Sequence, residues 1–385
     1  MKKICVIVNS RANYARIKSV LFEIKKNKKL ILQLVLGASS LMDRIGNLSK
    51  TVKKDGFKIS GKVYSIIEGN NLTTMAKSTG LGVIELSNIF ENQRPDFVLT
   101  VADRFETIAT AIAASYMNIP LIHTQGGEVT GSIDESVRHA VTKLSNFHFP
   151  STFKAKQNVI KMGEDKKKVF LTGCPSIDLA KKIMENKINL NVVLKKYHKE
   201  KTFTKFFEKD FIVVVQHPVT TEYNSAKSQI EETIKALKRF DINVLWLWPN
   251  IDAGNDIISK RLRQFREKEN PNNIKFFKNF EPEDFLKILS KSKCILGNSS
   301  VAIRECSFLG IPAVNIGNRQ NGRECGKNVL HSSHDHKKII KQLKKQLNHG
   351  KYKSQKLYGD GNAAIKITKL IAKFKSENTQ KILGY

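Results

Sequence analysis

No apolar run in the 385 residues approaches the roughly 20 residues that a membrane-spanning helix requires. The first apolar run, inside MKKICVIVNS, covers only about five residues, whereas a signal peptide has a longer apolar stretch and a small-residue cleavage site. We therefore expect this run to form a buried first strand, in a cytoplasmic protein that does not bind membranes.

Cysteine is scarce, and two nucleotide-binding signatures are missing. The five cysteines are scattered without a CxxC pair, which argues against a disulfide framework and a zinc site. No G-x-G-x-x-G follows the first apolar run, and no G-x-x-x-x-G-K-[ST] occurs anywhere in the chain. The sequence therefore predicts no disulfide, metal or cofactor and disfavours NAD and ATP, while another phosphate-bearing ligand stays open.

Acidic residues are few: 35 Asp and Glu stand against 66 Lys and Arg, which gives a net charge of +31. Such a charge is common in proteins that bind nucleic acid. However, only 13 of the basic residues are Arg, and the lysines are spread along the whole chain rather than gathered with aromatic residues. We interpret them as a solvated surface and expect no nucleic-acid partner.

Short apolar runs alternate with longer amphipathic stretches, which is typical of α/β proteins with parallel sheets covered by helices. The length suits two domains. In the first half the predicted strands are 4–8, 30–36, 97–101, 120–123, 147–150 and 169–171, and the predicted helices include 15–26 and 105–116.

A Lys-rich stretch, residues 176–209, interrupts this alternation and predicts a connection between domains. The pattern then restarts, with strands at 211–215, 243–248, 274–276, 294–296 and 313–316 and helices such as 226–239 and 282–291. We predict two Rossmann-like, doubly wound domains facing across a cleft, an N-terminal one over 1–180 and a C-terminal one over 205–360.

Polar residues directly after predicted strands are the first candidates for a site, because ligands of open α/β sheets bind at the carboxyl ends of the strands. The polar segment Asn-Ser-Ser at 298–300 predicts a helix start that favours an anion. Arg104 and Arg319 could bind the same phosphates in a bidentate manner. Together these residues predict a diphosphate site.

Two further residues of this set have open interpretations. Glu305 could accept hydrogen bonds from ribose hydroxyls or be an exposed helix residue, and His217 could contact a phosphate or hold its own loop. Spacing alone does not decide between these alternatives.

Residues 123–139, HTQGGEVTGSIDESVRH, hold two adjacent glycines, three carboxylates, two histidines and an arginine. A solvated loop does not need this density of groups that move protons or stabilise charge. A glycine turn followed by a helix cap at Asp134 would explain only part of the set. The segment is therefore a candidate active site.

A series of motifs in one order resembles the hydrolysing UDP-N-acetylglucosamine 2-epimerases, the group that includes sialic-acid and legionaminic-acid pathway enzymes. The motifs are SRANY (10–14), ADRFE (102–106), HTQGGEVTGSIDESVRHAVTKL (123–144), GCPSID (173–178), QHPVT (216–220), GNSSVAIRE (297–305) and GIPAVNIGNRQNGRE (310–324). The resemblance implies a GT-B fold, a C-terminal helix within 361–385 that returns to the first domain, and a homodimer or homotetramer.

The resemblance also implies roles for individual residues. The nucleotide-binding set is Arg11, Arg104, His217, Ser299, Ser300, Glu305 and Arg319. The catalytic set is Asp103, His123, Gln125, Glu128, Asp134 and Arg138, with His139 and His148 nearby.

Gln125 departs from the family pattern H-x-E-G-G-E, in which the corresponding glutamate is regarded as catalytic. An amide cannot act as a carboxylate base. Either Asp103, Asp134 or Glu128 takes this role, or the chain belongs to a branch with a different sugar or altered chemistry.

The implied reaction removes the C-2 proton of a UDP-sugar while UDP leaves, and then adds water to the resulting glycal to give a free manno-configured 2-acetamido sugar for nonulosonic (sialic or legionaminic) acid synthesis. UDP-N-acetylglucosamine and UDP-N,N′-diacetylbacillosamine are both candidate substrates, and GDP in place of UDP stays open. The alternatives are a GT-B glycosyltransferase, a non-hydrolysing epimerase and, from another class, a basic RNA-binding protein.

Overall fold

The computed structural model describes residues 1–43, 47–69, 71–101, 104–131, 133–198, 205–249, 254–375 and 379–382. Its strands are β1 (Lys2–Val8), β2 (Leu30–Gly37), β3 (Ile59–Val63), β4 (Phe97–Val101), β5 (Leu121–Thr124), β6 (Phe147–Phe149), β7 (Phe211–Val215), β8 (Asn243–Leu247), β9 (Ile274–Phe277), β10 (Cys294–Gly297), β11 (Ala313–Ile316) and β12 (Val329–Ser332). Its helices are α1 (Arg11–Lys26), α2 (Ser49–Lys54), α3 (Leu72–Gln93), α4 (Thr107–Tyr116), α5 (Ile133–Leu144), α6 (Phe153–Lys161), α7 (Pro175–Glu185), α8 (Leu190–Lys195), α9 (Ala226–Leu237), α10 (Asn255–Glu269), α11 (Pro282–Lys291), α12 (Glu305–Leu309), α13 (His336–His349) and α14 (Ala363–Lys373).

The chain folds into two compact units. The first comprises Met1–Val129, Ile133–Leu179 and Tyr358–Tyr385, and the second comprises Thr130–Ser132 and Ala180–Leu357. Each contains a six-stranded parallel sheet, in the order β3-β2-β1-β4-β5-β6 or β12-β11-β10-β7-β8-β9. Counted from the first strand of each unit, both orders are the Rossmann order 3-2-1-4-5-6. The predicted α/β class with two Rossmann-like domains is confirmed.

The sheet of the first unit is buried on both faces. Successive side chains of a strand point to opposite sides, so each strand contributes to two cores. Ile4 and Val6 of β1 belong to a core that also includes Ile367 of α14. Cys5, on the opposite face, belongs to a second core that includes Leu86 of α3. This two-sided burial is why β1 is a continuous apolar run in the sequence.

Helix α1 begins at Arg11, four residues before the predicted start at residue 15. The Ser10 side chain accepts a hydrogen bond from the Asn13 amide at 3.1 Å and thereby caps the helix. Because the first turn of α1 is polar, apolar periodicity predicts a later start. The cap places Arg11 directly at the carboxyl end of β1.

The sequence prediction was wrong at one strand and missed two others. Residues 169–171 form no regular strand; Val169 makes an isolated bridge to His148, and the Phe170 and Thr172 amides donate to the His148 and Pro150 carbonyls at 2.9 and 3.3 Å. Strands β3 and β12 are outermost in their sheets, where one side of the strand lacks a neighbour. Their ISGKV and VLHS sequences contain no continuous apolar run.

Part of the Lys-rich stretch 176–209 is helical, with most of α7 and all of α8. The C-terminal α14 belongs to the first unit, where the Asp178 carboxylate accepts hydrogen bonds from the Ala363 and Ala364 amides at 2.9 and 2.8 Å. Burial raises the pKa of this carboxyl group against the effect of those two amides. None of the helices in the described ranges combines the length and apolarity needed to cross a bilayer.

Candidate functional site

Polar groups at the carboxyl end of β1 connect it with β4, and the strand order of the first unit reverses between these two strands. The Asn13 side-chain amide, from the first turn of α1, donates to the Val101 carbonyl at the end of β4 at 3.2 Å. The Asn9 carbonyl accepts from the Ser40 amide at 3.1 Å. Arg11 lies beside this junction, half-buried. Asp103, predicted to act here, lies outside the described residues.

The two adjacent glycines of the candidate active site are required by close approaches. A Cβ on Gly126 would lie 2.9 Å from Nδ1 of His123, so the chain passes directly over the imidazole ring. Gly127 has a φ of +78°, and a Cβ there would lie 2.1 Å from the Ala155 carbonyl oxygen of α6. The glycines let the chain fold between the end of β5 and α6.

His123 is fully buried near the end of β5. Its Nδ1 lies 3.2 Å from the Thr142 hydroxyl, which in turn donates to the Arg138 carbonyl at 3.0 Å. The Arg138 guanidinium, also fully buried, donates from Nη1 to the Glu128 carbonyl at 2.5 Å. These contacts bring His123, Glu128 and Arg138 into one cluster around α5.

Gln125 occupies an energetically unfavourable position inside this cluster. Its φ of +63° is left-handed although it is not glycine, and its side chain is 1% exposed. Neither its amide oxygen nor its amide nitrogen has a hydrogen-bond partner within the described part of the chain. A left-handed backbone and unpaired buried polar atoms each cost about 1–3 kcal/mol. Such costs are common at functional sites.

The acidic Asp134 lies half-buried in the first turn of α5, where the helix dipole favours a carboxylate. His139, one turn further along, pairs with Glu135 at 3.2 Å rather than with His123. The structure thus separates the two histidines of the candidate active site, and only His123 joins the buried cluster.

In the second unit, Asn298 is the centre of the candidate nucleotide site. Its side-chain amide accepts from the His217 amide and donates to the His217 carbonyl, both at 2.8 Å. This reciprocal pair joins the ends of β7 and β10, where the strand order of that unit reverses. The Asn298 carbonyl accepts from Arg319 Nη1 at 3.3 Å and from Gln320 Nε2 at 2.9 Å. His217 and Arg319 are thereby brought together.

The prediction that an α-helix starts at residues 298–300 is wrong. Ser299 caps only a single 3₁₀ turn over Ser300–Ala302, and α12 begins at Glu305 and is five residues long. So short a helix has little dipole, and any anion here would depend on side chains and loop amides instead. Glu305 itself is 8% exposed, which excludes the alternative of an exposed helix residue.

The sequence matches the family described as UDP-N-acetylglucosamine 2-epimerase over residues 22–372. It is 32% identical, over 96% of both chains, to a UDP-N,N′-diacetylbacillosamine 2-epimerase (hydrolyzing) of Legionella pneumophila. The chain belongs to the UDP-N-acetylglucosamine 2-epimerase family. A GDP/UDP-N,N′-diacetylbacillosamine 2-epimerase (hydrolyzing) of Campylobacter jejuni is 31% identical, over 86% of this chain and 84% of that protein.

The fold is shared with solved structures of epimerases. The crystal structure of UDP-GlcNAc 2-epimerase from Neisseria meningitidis bound to UDP-GlcNAc has a TM-score of 0.79 with 20% identity, and covers 97% of this chain and 100% of that chain. At this identity the similarity establishes the fold, with two Rossmann-like domains of the GT-B class.

Arg104, predicted for the nucleotide set of this epimerase-family protein, lies in the first unit beside Glu106. Its Nε and Nη2 lie 3.2 and 3.3 Å from the two Glu106 carboxylate oxygens. A ligand phosphate at Arg104 would therefore share the guanidinium with this carboxylate or replace it.

A buried ionic group next to His123 was not predicted from the sequence. His148 of β6 is the register partner of His123, and its Nε2 lies 2.9 Å from Oε2 of Glu164. Burial lowers the pKa of His148 despite the opposing effect of Glu164. Burial alone would raise the pKa of Glu164, but hydrogen bonds from His148, Lys381 and Lys143 lower it to about 2. Glu164 lies in no motif, so no local signal could have identified it.

Proposed function

We propose that this protein is a hydrolysing nucleotide-sugar 2-epimerase. Its membership of the epimerase family and its relatives named as hydrolysing enzymes support this proposal. The main structural support is the buried cluster of His123, Glu128 and Arg138, each at most 4% exposed, beyond the carboxyl edge of a parallel sheet. A weakly acidic C–H bond needs a desolvated base of this kind.

The proposed reaction has two steps. A base takes the C-2 proton while the bond from C-1 to the diphosphate oxygen breaks, so that the nucleoside diphosphate leaves and a 2-acetamidoglycal remains. Water then adds its hydroxyl to C-1 and a proton to C-2 on the opposite face, which gives the free manno-configured sugar. Donors must stabilise the leaving diphosphate, and a base must hold the proton.

We assign the sugar chemistry to the first unit. Asp103, Glu128 and Asp134 are the candidates for the carboxylate base, and His123 and Arg138 complete the set. Because Gln125 carries an amide, it is a hydrogen-bonding group of this site rather than the base.

We assign the nucleotide to the second unit. His217 and Arg319, joined through Asn298, are proposed to bind the diphosphate together with the hydroxyls of Ser299 and Ser300. Glu305, whose Oε2 has no hydrogen-bond partner in the described residues, is proposed to accept from the ribose hydroxyls. Arg11 and Arg104 remain predicted contributors from the first unit.

We favour UDP-N,N′-diacetylbacillosamine as substrate, because two relatives above 30% identity carry this sugar in their names. The product would then supply nonulosonic acid synthesis of the legionaminic type in the cytoplasm. A homodimer or homotetramer is part of the same proposal.

Proton NMR in deuterated water tests the function. The purified protein is incubated with UDP-N,N′-diacetylbacillosamine, its GDP counterpart or UDP-N-acetylglucosamine, and release of the diphosphate and the H-2 signal are followed. We expect free UDP and a manno-configured sugar that carries deuterium at C-2. Exchange of H-2 without UDP release would establish the non-hydrolysing reaction. No exchange with any of these sugars would contradict the proposal and favour a GT-B glycosyltransferase.

A further inference from the structure

The C-terminal strap, residues 379–382, lies in the first unit against the elements that carry the candidate sugar chemistry. The Asn146 side chain donates from Nδ2 to the Thr379 carbonyl and accepts at Oδ1 from the Leu121 amide, both at 2.9 Å. Leu121 is the first residue of β5, and His123 follows two positions later. One side chain therefore ties the strap to the strand that holds the buried histidine.

Lys381 of the C-terminal strap ties it to α5. Its ammonium donates to the carbonyls of Thr142 and Lys143 in the last turn of α5, at 3.2 and 2.8 Å, and lies 2.5 Å from Oε2 of Glu164. A lysine ammonium has three N–H donors, so all three have an acceptor. A cation is also favoured at this end of a helix, where the carbonyls carry partial negative charge.

The Glu164 carboxylate connects Lys381 with the sheet. Its side chain is 2% exposed, and Lys143 Nζ lies 2.9 Å from its Oε1. Because Glu164 is ionised, Nε2 of His148 donates to it, which fixes the tautomer and the orientation of that ring. His148 and His123 are register partners on neighbouring strands, so the ring stands next to the buried cluster.

We propose that Lys381 is a positioning residue for the candidate sugar site, an inference that rests on the function proposed above. Lys381 holds the last turn of α5, whose Thr142 hydroxyl contacts His123. Through Glu164 it also holds the ring of His148. Both ties start from the Lys381 ammonium, and all the residues that they join belong to the first unit.

The test compares Lys381→Met with Lys381→Arg and with a matched control, Lys366→Met. Lys366 forms an exposed ion pair with Asp360 at 3.1 Å in the same C-terminal region. We expect Lys381→Met to lower kcat by about 10- to 100-fold, because small displacements of positioned groups cost this much. The Kd for UDP should stay within about twofold, since the nucleotide is assigned to the other unit. Lys381→Arg should recover most of the rate, and Lys366→Met should resemble the wild type.

The pH profile separates positioning from mere stabilisation. The charged groups around Glu164 are Lys143, His148 and Lys381, and Lys168 also acts on Lys381. Removing the Lys381 charge raises the pKa of Glu164, so the carboxylate becomes protonated at higher pH. We therefore expect the acid limb of kcat to move to higher pH in Lys381→Met and to remain in place in Lys381→Arg.

Two results would overturn the inference. One is an unchanged kcat and acid limb in Lys381→Met; the other is an equal loss in the Met and Arg variants that tracks their thermal stability. If Lys381→Met does not fold, Lys381→Gln, which keeps an N–H donor without the charge, is judged by the same criteria.

A readout independent of activity separates this inference from the proposed function. Amide hydrogen exchange in the last turn of α5 and the imidazole ¹⁵N signals of His148 are compared between wild type and Lys381→Met. We expect exchange at least about tenfold faster in the variant. If the wild type turns over no sugar, the proposed function fails while this measurement still decides the coupling; unchanged exchange and unchanged ¹⁵N signals would contradict the coupling.

Discussion

The two units share one strand order but hold their candidate residues in different ways. In the first, His123, Gln125 and Arg138 are at most 1% exposed and are held by α5 and two glycines. In the second, Ser300 and Arg319 are half-buried near Asn298, whose side chain hydrogen-bonds to the main chain of His217. Desolvation strengthens electrostatic effects on a reacting group, whereas a charged ligand requires accessible donors. This difference is consistent with the proposal that the first unit carries the sugar chemistry and the second binds the nucleotide.

The largest expected effect separates chemistry from binding. Glu128→Gln keeps the shape of a side chain that is 4% exposed but removes its charge. If this carboxylate is the base, kcat should fall by about 10²- to 10⁴-fold, while the Kd for UDP measured by calorimetry stays within about twofold. Glu91→Gln, at an exposed residue paired with Arg94 at 3.8 Å, is the control. A parallel loss of UDP affinity would contradict the assignment of chemistry to the first unit and nucleotide binding to the second.

A glycine variant tests how rigidly the second unit is built. Gly297 has a φ of +136°, and a Cβ would lie 2.1 Å from the Val215 carbonyl oxygen. We expect Gly297→Ala to lower the free energy of unfolding by about 3 kcal/mol through strain and overpacking. Both tryptophans, Trp246 and Trp248, lie in this unit, so their fluorescence reports its unfolding.

The control for this variant is Gly80→Ala. Gly80 lies in α3, where an added Cβ would point into open space with respect to the described residues. The substitution should stabilise the first unit by about 0.5–1 kcal/mol, measured by calorimetry, because alanine favours the helix. A Gly297→Ala variant as stable as the wild type would show that the end of β10 can relax.

A third variant tests whether the hydrogen bonds between Asn298 and His217 contribute to nucleotide binding. Asn298→Ala removes the two hydrogen bonds to His217 and should cost about 2 kcal/mol of stability. We also expect the Kd for UDP to rise about tenfold. Asn273→Ala is the matched control: Asn273 precedes β9, and its Nδ2 donates to the carbonyls of Phe240 and Ile242, which precede β8, at the opposite end of the sheet. It should lose stability but keep its UDP affinity, and equal Kd values in both variants would contradict the assignment.

The smallest effect concerns pH. Hydrogen bonds from His148, Lys381 and Lys143 lower the pKa of Glu164 in the first unit to about 2, and hydrogen bonds from Lys235 and His336 lower that of Glu232 in the second to about 2, both from 4.5. A lowered carboxyl pKa stabilises the folded state above 4.5, and this contribution is lost as pH falls from 4.5 towards 2. Glu164 is 2% exposed and Glu232 is 21% exposed. Acid unfolding should therefore depend on Glu164 at any salt concentration, and on Glu232 only at low salt. Glu164→Gln and Glu232→Gln, compared at two salt concentrations, check this.

Sequence reasoning succeeded where burial alone determines the local pattern. Residues 97–101, 211–215 and 313–316 were predicted as strands with the bounds that the structure shows, because inner parallel strands are apolar on both faces. Strands β3 and β12 were missed because their ISGKV and VLHS sequences contain no continuous apolar run. In the site, the segment around His123 was identified by its density of functional groups, whereas Asn298 was interpreted only as part of a helix start.

The sequence by itself was enough to predict the alternation of strands and helices, to find the ordered family motifs and to single out the two adjacent glycines, because each of these features is a local pattern of the sequence. Only the tertiary structure decided that Gln125 is buried without partners in the described residues, that Asn298 joins two strand ends, and that Lys381 reaches Glu164. These contacts join positions far apart in the chain. They depend on which strands become neighbours and how helices pack on them, and no local spacing encodes that.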